Sequence, residues 1–422
     1  MNKILIKNKF FFFTIFLIFY SVFYLIRKHN GGLDWSVSEW LINYQGGFTR
    51  RGFGGEINIF LSNFFSISLR DAILLLQVTL HSSYLILFFI YIKDLRTDII
   101  QIFALFSPLF LLYPIAELEG LGRKEMSIFL SFLIVIFLSD KKFHANLVNF
   151  FVMIFFPVLC LIWEQVILLA PFFAIILINK NKLNSFAETF AKIFLIFLPS
   201  IIVILIIFAL PLSSEGHNAM CKYLEINFNE RCYGSADLLI TNTIYFDTFW
   251  IHLERTNFFH YFRYIMIFLI GFFPLHLCIN NKNFTNQENF ISKNFKPIYL
   301  FFILYSPMLL LYAFGHDWGR WVHIQYSMSI LLYLYFVKHR IISENLNNNF
   351  YINFLIKRKK LLIIVFFIFA FYWNPKTLIT GDIATNSLYK IVYNSSKIIF
   401  DYKGIRLFQD NPVIKFHKKF VE

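Results

Sequence analysis

The residues of this chain that could do chemistry fall in four short stretches. LDWSVSEWLINYQGGFTRRGFGGEI, residues 33–57, carries Asp34 and Glu39 ahead of Arg50 and Arg51. ELEGLGRKE, 117–125, carries Glu119, Arg123 and Lys124, and FGHDWGRWVHI, 314–324, sets Asp317 and Arg320 among Trp318 and Trp321. WEQ, 163–165, places Glu164 between two apolar runs. A carboxylate can take the proton of an acceptor hydroxyl. Arginine forks grip phosphate oxygens and stabilise a phosphate as it leaves. Aromatic rings such as Trp318 offer platforms for sugars. Together these residue types suit glycosyl transfer from a lipid phosphate.

Each stretch also has a plainer reading. SVSE, 36–39, fits a capping box, which would start a helix running to Tyr44 and make Glu39 a cap. Asp34 lies closest to the end of the first apolar span and has no cap to make there, which favours it over Glu39 as the base. Arg50 and Arg51 stand in a glycine-rich turn whose backbone N–H groups could approach a ligand; snorkelling to lipid headgroups is the rival. INIFLSNFFSISL, 57–69, is too short to span a bilayer. Asn58, Ser62 and Ser66 fall on one face of it, so two helices are expected to lie at the outer surface on either side of the arginine turn. Glu119 and Arg123, four apart, could form a helical ion pair. Asp317 and Arg320 could belong to an aromatic belt. Glu164, within or near a span, is a functional candidate by default.

The elements that position these residues follow from composition. Of 422 residues, 58% are hydrophobic and 21% aromatic, and only 15% are charged. A soluble fold cannot bury that much apolar surface, so an all-α polytopic membrane protein is expected. Apolar runs mark eleven candidate spans: 10–26, 72–92, 99–115, 126–138, 147–162, 165–178, 193–212, 258–279, 298–314, 322–337 and 361–373. The pair flanking WEQ reads either as two short crossings or as one re-entrant element. With the N-terminus inside, every inner segment is basic, as the positive-inside tendency requires. Residues 1–373 then form the membrane domain, with outer loops 27–71 and 213–257 and an outer tail, 374–422. The net charge of +14 is therefore a topology signal, and no nucleic-acid partner is implied. Lysines fall mainly inside. Most arginines fall outside, at 50–51, 123, 255–263 and 320, where their forks suit oxyanions.

Cys221 and Cys232 share one exported loop and are expected to form a disulfide. Cys160 and Cys278 lie in spans as packing residues. No Walker loop, G-x-G-x-x-G, H-E-x-x-H or paired C-x-x-C is present. No cofactor or metal site is implied, although a divalent cation stays open.

EWLINYQGGFTRRGFGGEI, EGLGRKE and GHDWGRW together resemble membrane proteins of bacterial surface-polysaccharide clusters, the O-antigen and capsule polymerases. The layout also resembles type C (GT-C) glycosyltransferases, which use polyprenyl-linked sugars and carry an acidic residue in a first outer loop built with surface-lying helices. Asp34 and Glu39 are the matching acids. Two departures stand out: the chain has no D-x-D or adjacent acidic pair, and its large outer loop follows span one rather than coming late. The resemblance implies an inner-membrane glycosyltransferase working at the periplasmic face on undecaprenyl-(pyro)phosphate-linked donor and acceptor saccharides, as a repeat-unit polymerase or as a sugar transferase, with other polysaccharide-assembly membrane proteins as candidate partners. A transporter of the same lipid-linked saccharide is the competing class. It calls for charges near mid-membrane and Gly- or Pro-broken helices, of which only Pro157, Glu164 and Pro171 are candidates.

Overall fold

A computed structural model describes residues 4–5, 7–30, 34–140, 142–239, 254, 256–280, 282–285, 289–343, 357–379 and 386–400. Residues 240–253 and Arg255 of the expected second outer loop, and 380–385 and 401–422 of the expected tail, lie outside them.

Inside a bilayer the backbone must satisfy its own hydrogen bonds, so apolar runs become helices. Six helices are long and apolar enough to cross: Phe10–His29, Leu69–Ile92, Ala145–Ile162, Glu164–Asn181, Phe186–Ala209 and Phe258–Ile279. The chain is thus a predominantly helical, multi-pass membrane protein. In order, the first helices are α1 (Lys7–Asn30), α2 (Trp35–Ser38), α3 (Phe53–Phe65), α4 (Leu69–Ile92), α5 (Ile99–Leu105) and α6 (Tyr113–Ala116). They are followed by α7 (Glu125–Leu138), α8 (Ala145–Ile162), α9 (Ala170–Asn181), α10 (Phe186–Ala209) and α11 (Ser214–Phe228). The rest are α12 (Phe258–Ile279), α13 (Phe290–Asn294), α14 (Pro297–Tyr305), α15 (Leu309–Phe314), α16 (Trp318–Lys338), α17 (Lys359–Phe371) and α18 (Ser387–Phe400). Polar caps set several starts. Ser68 accepts from the Asp71 N–H at 3.1 Å, and Ser185 from that of Glu188 at 3.2 Å. The one ladder among the described residues pairs Ile4–Leu5 with Arg96–Thr97.

α16 is the axis, with every residue from Trp318 to Phe336 buried. α10 is the least buried of the six long helices, and α12 buries one face and exposes the other. Phe190, Leu195 and Leu205 of α10 and Phe258, Ile265 and Phe273 of α12 are exposed, as a lipid-facing surface requires. The helix ends gather into two groups. At one end Lys180 bonds the carbonyls of Ser139 and Asp140, and Lys338 bonds that of Tyr91 at 2.8 Å. At the other end lie 34–52, 117–124, Trp163–Glu164 and 315–317. α8 and α9 run antiparallel, with Trp163 at their joined end and Asn149 hydrogen-bonded to Asn181 at the open end. The segment 147–178 is therefore two full helical passes, the second opening with a 3₁₀ turn over Glu164–Leu169.

Several expectations need correction. Span 99–115 is broken: α5 ends at Leu105 and α6 starts at Tyr113. Pro108 lacks an N–H and disfavours the helical region at Ser107, whose hydroxyl instead bonds the Gly271 carbonyl at 3.2 Å. Span 298–314 is helical throughout, over Pro297–Ala313, tightening to a 3₁₀ turn at Ser306–Met308 where Pro307 lacks an N–H. No capping box forms over 36–39. Asp34 is the N-cap of the four-residue α2, accepting from the Ser36 N–H at 2.8 Å, and Glu39 does no capping. Helix does not reach Tyr44, because the Asn43 side chain bonds the backbone of Leu41 and Gln45 instead. On α3, Asn58 and Ser62 point inward as expected, but Ser66 is an exposed left-handed C-cap.

α11 is clamped over the first outer loop. A Cβ on Gly46 would meet the Gly216 carbonyl oxygen at 1.8 Å, so only glycine allows the two backbones to touch. Ser235 N–H bonds Ser38 Oγ at 3.0 Å, and Glu230 Oε2 accepts from Arg70 at 3.0 Å. Cys221 and Cys232 are disulfide-bonded, while Cys160 and Cys278 are free and buried. Closing that loop constrains the unfolded chain by roughly 2–3 kcal/mol. Protein denatured without reductant is therefore expected to label at two thiols, Cys160 and Cys278. Labelling at all four in a mass measurement would contradict the clamp.

Candidate functional site

At the end of the bundle where α16 begins, side chains from five separate segments meet in two adjoining sets of ion pairs, Arg123–Glu39–Arg320 with Glu125 and Asp317, and Arg50 and Arg51 with Glu164, together called the ring. Arg320, in the first turn of α16, points across the head of α7. Its Nε donates to Glu125 Oε1, and its Nη1 lies 2.7 Å from Asp317 Oδ2 and 3.4 Å from Glu39 Oε1. The rings of Trp163 and Trp321 flank it at 5.9 and 5.2 Å. Glu39 Oε1 also accepts from Arg123 Nη1, and Arg123 Nε donates to the Glu119 carbonyl at 2.7 Å. Arg51 grips Glu164 with two donors, at 2.8 and 2.7 Å, and Arg50 lies 3.9 Å from the same carboxylate. Lys124 Nζ donates to the Arg51 carbonyl at 3.1 Å and sits 5.5 Å from the centre of the Trp40 ring.

Local structure explains the placement. Arg51 adopts a left-handed backbone, φ 65°, which turns the chain into α3. A Cβ on Gly55 would approach the Ile42 carbonyl oxygen to 2.0 Å. This glycine therefore serves packing of the loop against α3 rather than the approach of a ligand. Asn58 reaches back from α3 to the Trp40 carbonyl at 3.2 Å. Trp40 Nε1 and Gln77 both bond the Gly122 carbonyl, at 2.9 and 2.7 Å, so loops 34–52 and 117–124 are tied to each other and to α4.

The electrostatics are those of paired charges away from water. Burial alone would raise the Glu39 carboxyl. Arg123, Arg320, Lys124 and Arg51 outweigh it and hold the group well below the usual carboxylate range. Burial pushes Lys124 down to about 7, against the pull of Glu39 and with a push from Arg51. Glu39 Oε2 and Glu125 Oε2 are buried with no hydrogen-bond partner among the described residues.

Of the residues singled out in the sequence, Glu39, Arg50, Arg51, Arg123, Lys124, Glu164, Asp317 and Arg320 come together. Asp34 does not join the ring. It caps α2 and pairs with Lys28 at 3.3 Å, so the idea that it has no cap to make is overturned. The expected Glu119–Arg123 side-chain pair is absent; Arg123 uses the Glu119 carbonyl, and the Glu119 side chain is exposed at the rim. Trp318 turns away from the ring, packing on Tyr261, Tyr264 and Tyr312. Glu125 was missed. Its adjacency to Lys124 in GRKE was the available signal, but four-residue spacing drew attention to Glu119 instead.

Trp318 lines a separate apolar groove of about 570 Å³ between α12 and α14–α15, walled by Ile265, Leu269, Phe302 and Leu309. These four side chains are exposed, so the groove opens sideways on the lipid-facing surface. No protein-family model, curated protein or solved structure matches the chain.

Removing one partner of a buried pair strands the other. Glu164→Gln is expected to cost about 3 kcal/mol in unfolding of the detergent-solubilised protein. Glu164→Gln combined with Arg51→Met should recover part of that loss. A silent Glu164→Gln would mean that the pair is solvated.

Proposed function

We propose that this protein is a bacterial inner-membrane glycosyltransferase of surface-polysaccharide assembly. It takes a polyprenyl-(pyro)phosphate-linked saccharide at the periplasmic face, as a repeat-unit polymerase or as a sugar transferase. The observation that carries this reading is the ring itself. Four arginines and four carboxylates from distant segments meet at one end of a membrane bundle; Glu39, Glu125, Glu164, Arg123 and Arg320 are buried, and Arg50, Arg51 and Asp317 are partly exposed. Buried ion pairs are weak sources of stability, and apolar side chains of equal volume often do as well. Ionisable groups at membrane depth mark function instead.

Topology supports the same reading. Alternating the helices between the two groups of connections, and counting α5–α6 as one broken crossing and α14–α15 as one continuous crossing, gives eleven passes. The N-terminus is then inside and the ring outside. α7 has 14 residues, or about 21 Å at 1.5 Å per residue, against about 30 Å of hydrocarbon. On this topology the ring at its head faces the outer leaflet, the side on which a lipid phosphate and its first sugar would meet the protein. The groove beside Trp318 has the size of a small-ligand site and admits a lipid tail from the side. This arrangement is GT-C-like in placing its acid on the first outer loop.

In this reading the arginines hold the phosphate and stabilise it as it leaves. Glu39 takes the acceptor hydroxyl's proton through its second, unpartnered oxygen. An arriving phosphate shares Arg123 and Arg320, which weakens their hold on Glu39 and makes it more basic. With Asp34 committed to its cap and to Lys28, Glu39 is the stronger candidate for the base. The Pro108 break between α5 and α6 is of the kind a transporter calls for, but a transporter would also place its charges near the midplane, whereas this ring lies toward one end.

The test is polysaccharide made by a deletion strain carrying Glu39→Gln, with membrane protein levels matched. Product is expected to fall about 10²-fold, the usual size of a lost general base. Near-normal polysaccharide would remove Glu39 from the chemistry.

A further inference from the structure

Counted by charge, the ring closes without Lys124. Arg50, Arg51, Arg123 and Arg320 each make an ion pair, and their partners are Glu39, Glu125, Glu164 and Asp317. Four positive charges meet four negative ones. Lys124 is a fifth cation placed among them with 1% of its surface exposed. It faces Glu39, Arg51 and Trp40 from the first outer loop and Glu164 from the start of the 3₁₀ turn, with Arg123 and Glu125 beside it in the chain and Arg320 across the ring. Among the described residues no carboxylate lies within ion-pair distance of its Nζ. Its hydrogen bond goes to the Arg51 carbonyl.

An ammonium carries three donors. Held here in its charged form, it would leave two of them without acceptors in a site shut off from water, and each such donor costs about 1–3 kcal/mol. A neutral amine has two N–H groups instead of three, so only one is left without an acceptor; it also buries no charge and leaves the ring electrically balanced. A phosphate drawn into the ring reverses the situation, because it adds negative charge that four already paired arginines do not fully neutralise.

We infer that Lys124 rests as a neutral amine and takes one proton from solvent when a phosphate anion binds the ring, so that anion binding and proton uptake are coupled one to one. The step is balanced: the amine nitrogen gains the proton, and the ring's net charge returns to zero against one phosphate charge. The inference rests on the reading of the ring as the lipid-phosphate site and names how that site is regulated. The burial that brings Lys124 down to about 7 sets the pH window. Below it the lysine is already charged and binding takes up nothing. Above it each bound anion must bring a proton, so affinity falls by up to about tenfold per pH unit.

The probe is farnesyl methyl phosphate, a singly charged diester that lacks the phosphate ionisation near pH 6. Binding to the full-length protein in nanodiscs is measured by calorimetry, in buffers of different ionisation heat. About one proton taken up per diester at about pH 8.5, and almost none at about pH 6, is expected. Lys124→Arg, charged at both pH values, should bind with no uptake and flat affinity. Lys124→Met, which keeps the buried stem, should bind weakly with no uptake. Binding by the unaltered protein without uptake at the higher pH overturns the coupling alone. Uptake that survives Lys124→Met puts the proton on another group and overturns the assignment. No binding at the lower pH overturns the phosphate reading of the ring, and the coupling with it.

Discussion

A guanidinium at the buried head of a helix must be paired, and Arg320 imposes that demand on the whole outer end of the molecule. α16 is buried from Trp318 to Phe336, so water does not reach its first turn freely. Asp317 comes from the preceding turn, Glu125 from the head of α7 and Glu39 from the first outer loop. Glu39 then draws in Arg123. Arg51 and Arg50 hold Glu164, whose neighbour Trp163 lies over Arg320. Moving any one of these segments would strand a charge, which is far more costly than a lost surface pair. The remaining architecture can be read as what keeps the segments in place: the Asp34 cap, the Trp40 and Gln77 bonds to Gly122, and the disulfide-braced α11 pressed on Gly46.

Such a ring is also poised. Its arginines hold Glu39 ionised, and Glu39 and Glu125 each keep an oxygen free. An anion arriving there would compete for the arginines without having to displace a hydrophobic wall. The side groove at Trp318 lies on the lipid-facing flank, so an amphiphile could place its tail in the groove and its head near the ring.

Much of the site was legible in the sequence, because its residues are of types that a membrane chain does not carry idly. Arg50, Arg51, Arg123, Arg320 and Glu39 stand out against their apolar surroundings. Apart from Asp317 and Arg320, which pair three residues apart, who pairs with whom was not legible, since the other partners are distant in sequence; Arg51 and Glu164 lie 113 residues apart. Local rules misled in two places. SVSE satisfied a capping pattern, but Asp34, two residues earlier, took the helix start. Four-residue spacing suggested Glu119 for Arg123, and the carbonyl was taken instead. Hydropathy located the long apolar helices but passed over Pro108, since apolar character on both sides of a proline conceals the break in backbone hydrogen bonding.

The central claim is that the ring transfers a sugar from a lipid phosphate. It is tested most directly by incubating the purified protein in nanodiscs with polyprenyl-linked saccharides extracted from its own deletion strain. Lipid-linked products are then read by mass spectrometry. The account predicts a lipid-linked product heavier by one sugar or one repeat unit, with release of the polyprenyl phosphate or pyrophosphate. Saccharides recovered at unchanged mass, together with their movement across vesicle membranes containing the same protein, would contradict it and mark the protein as a transporter.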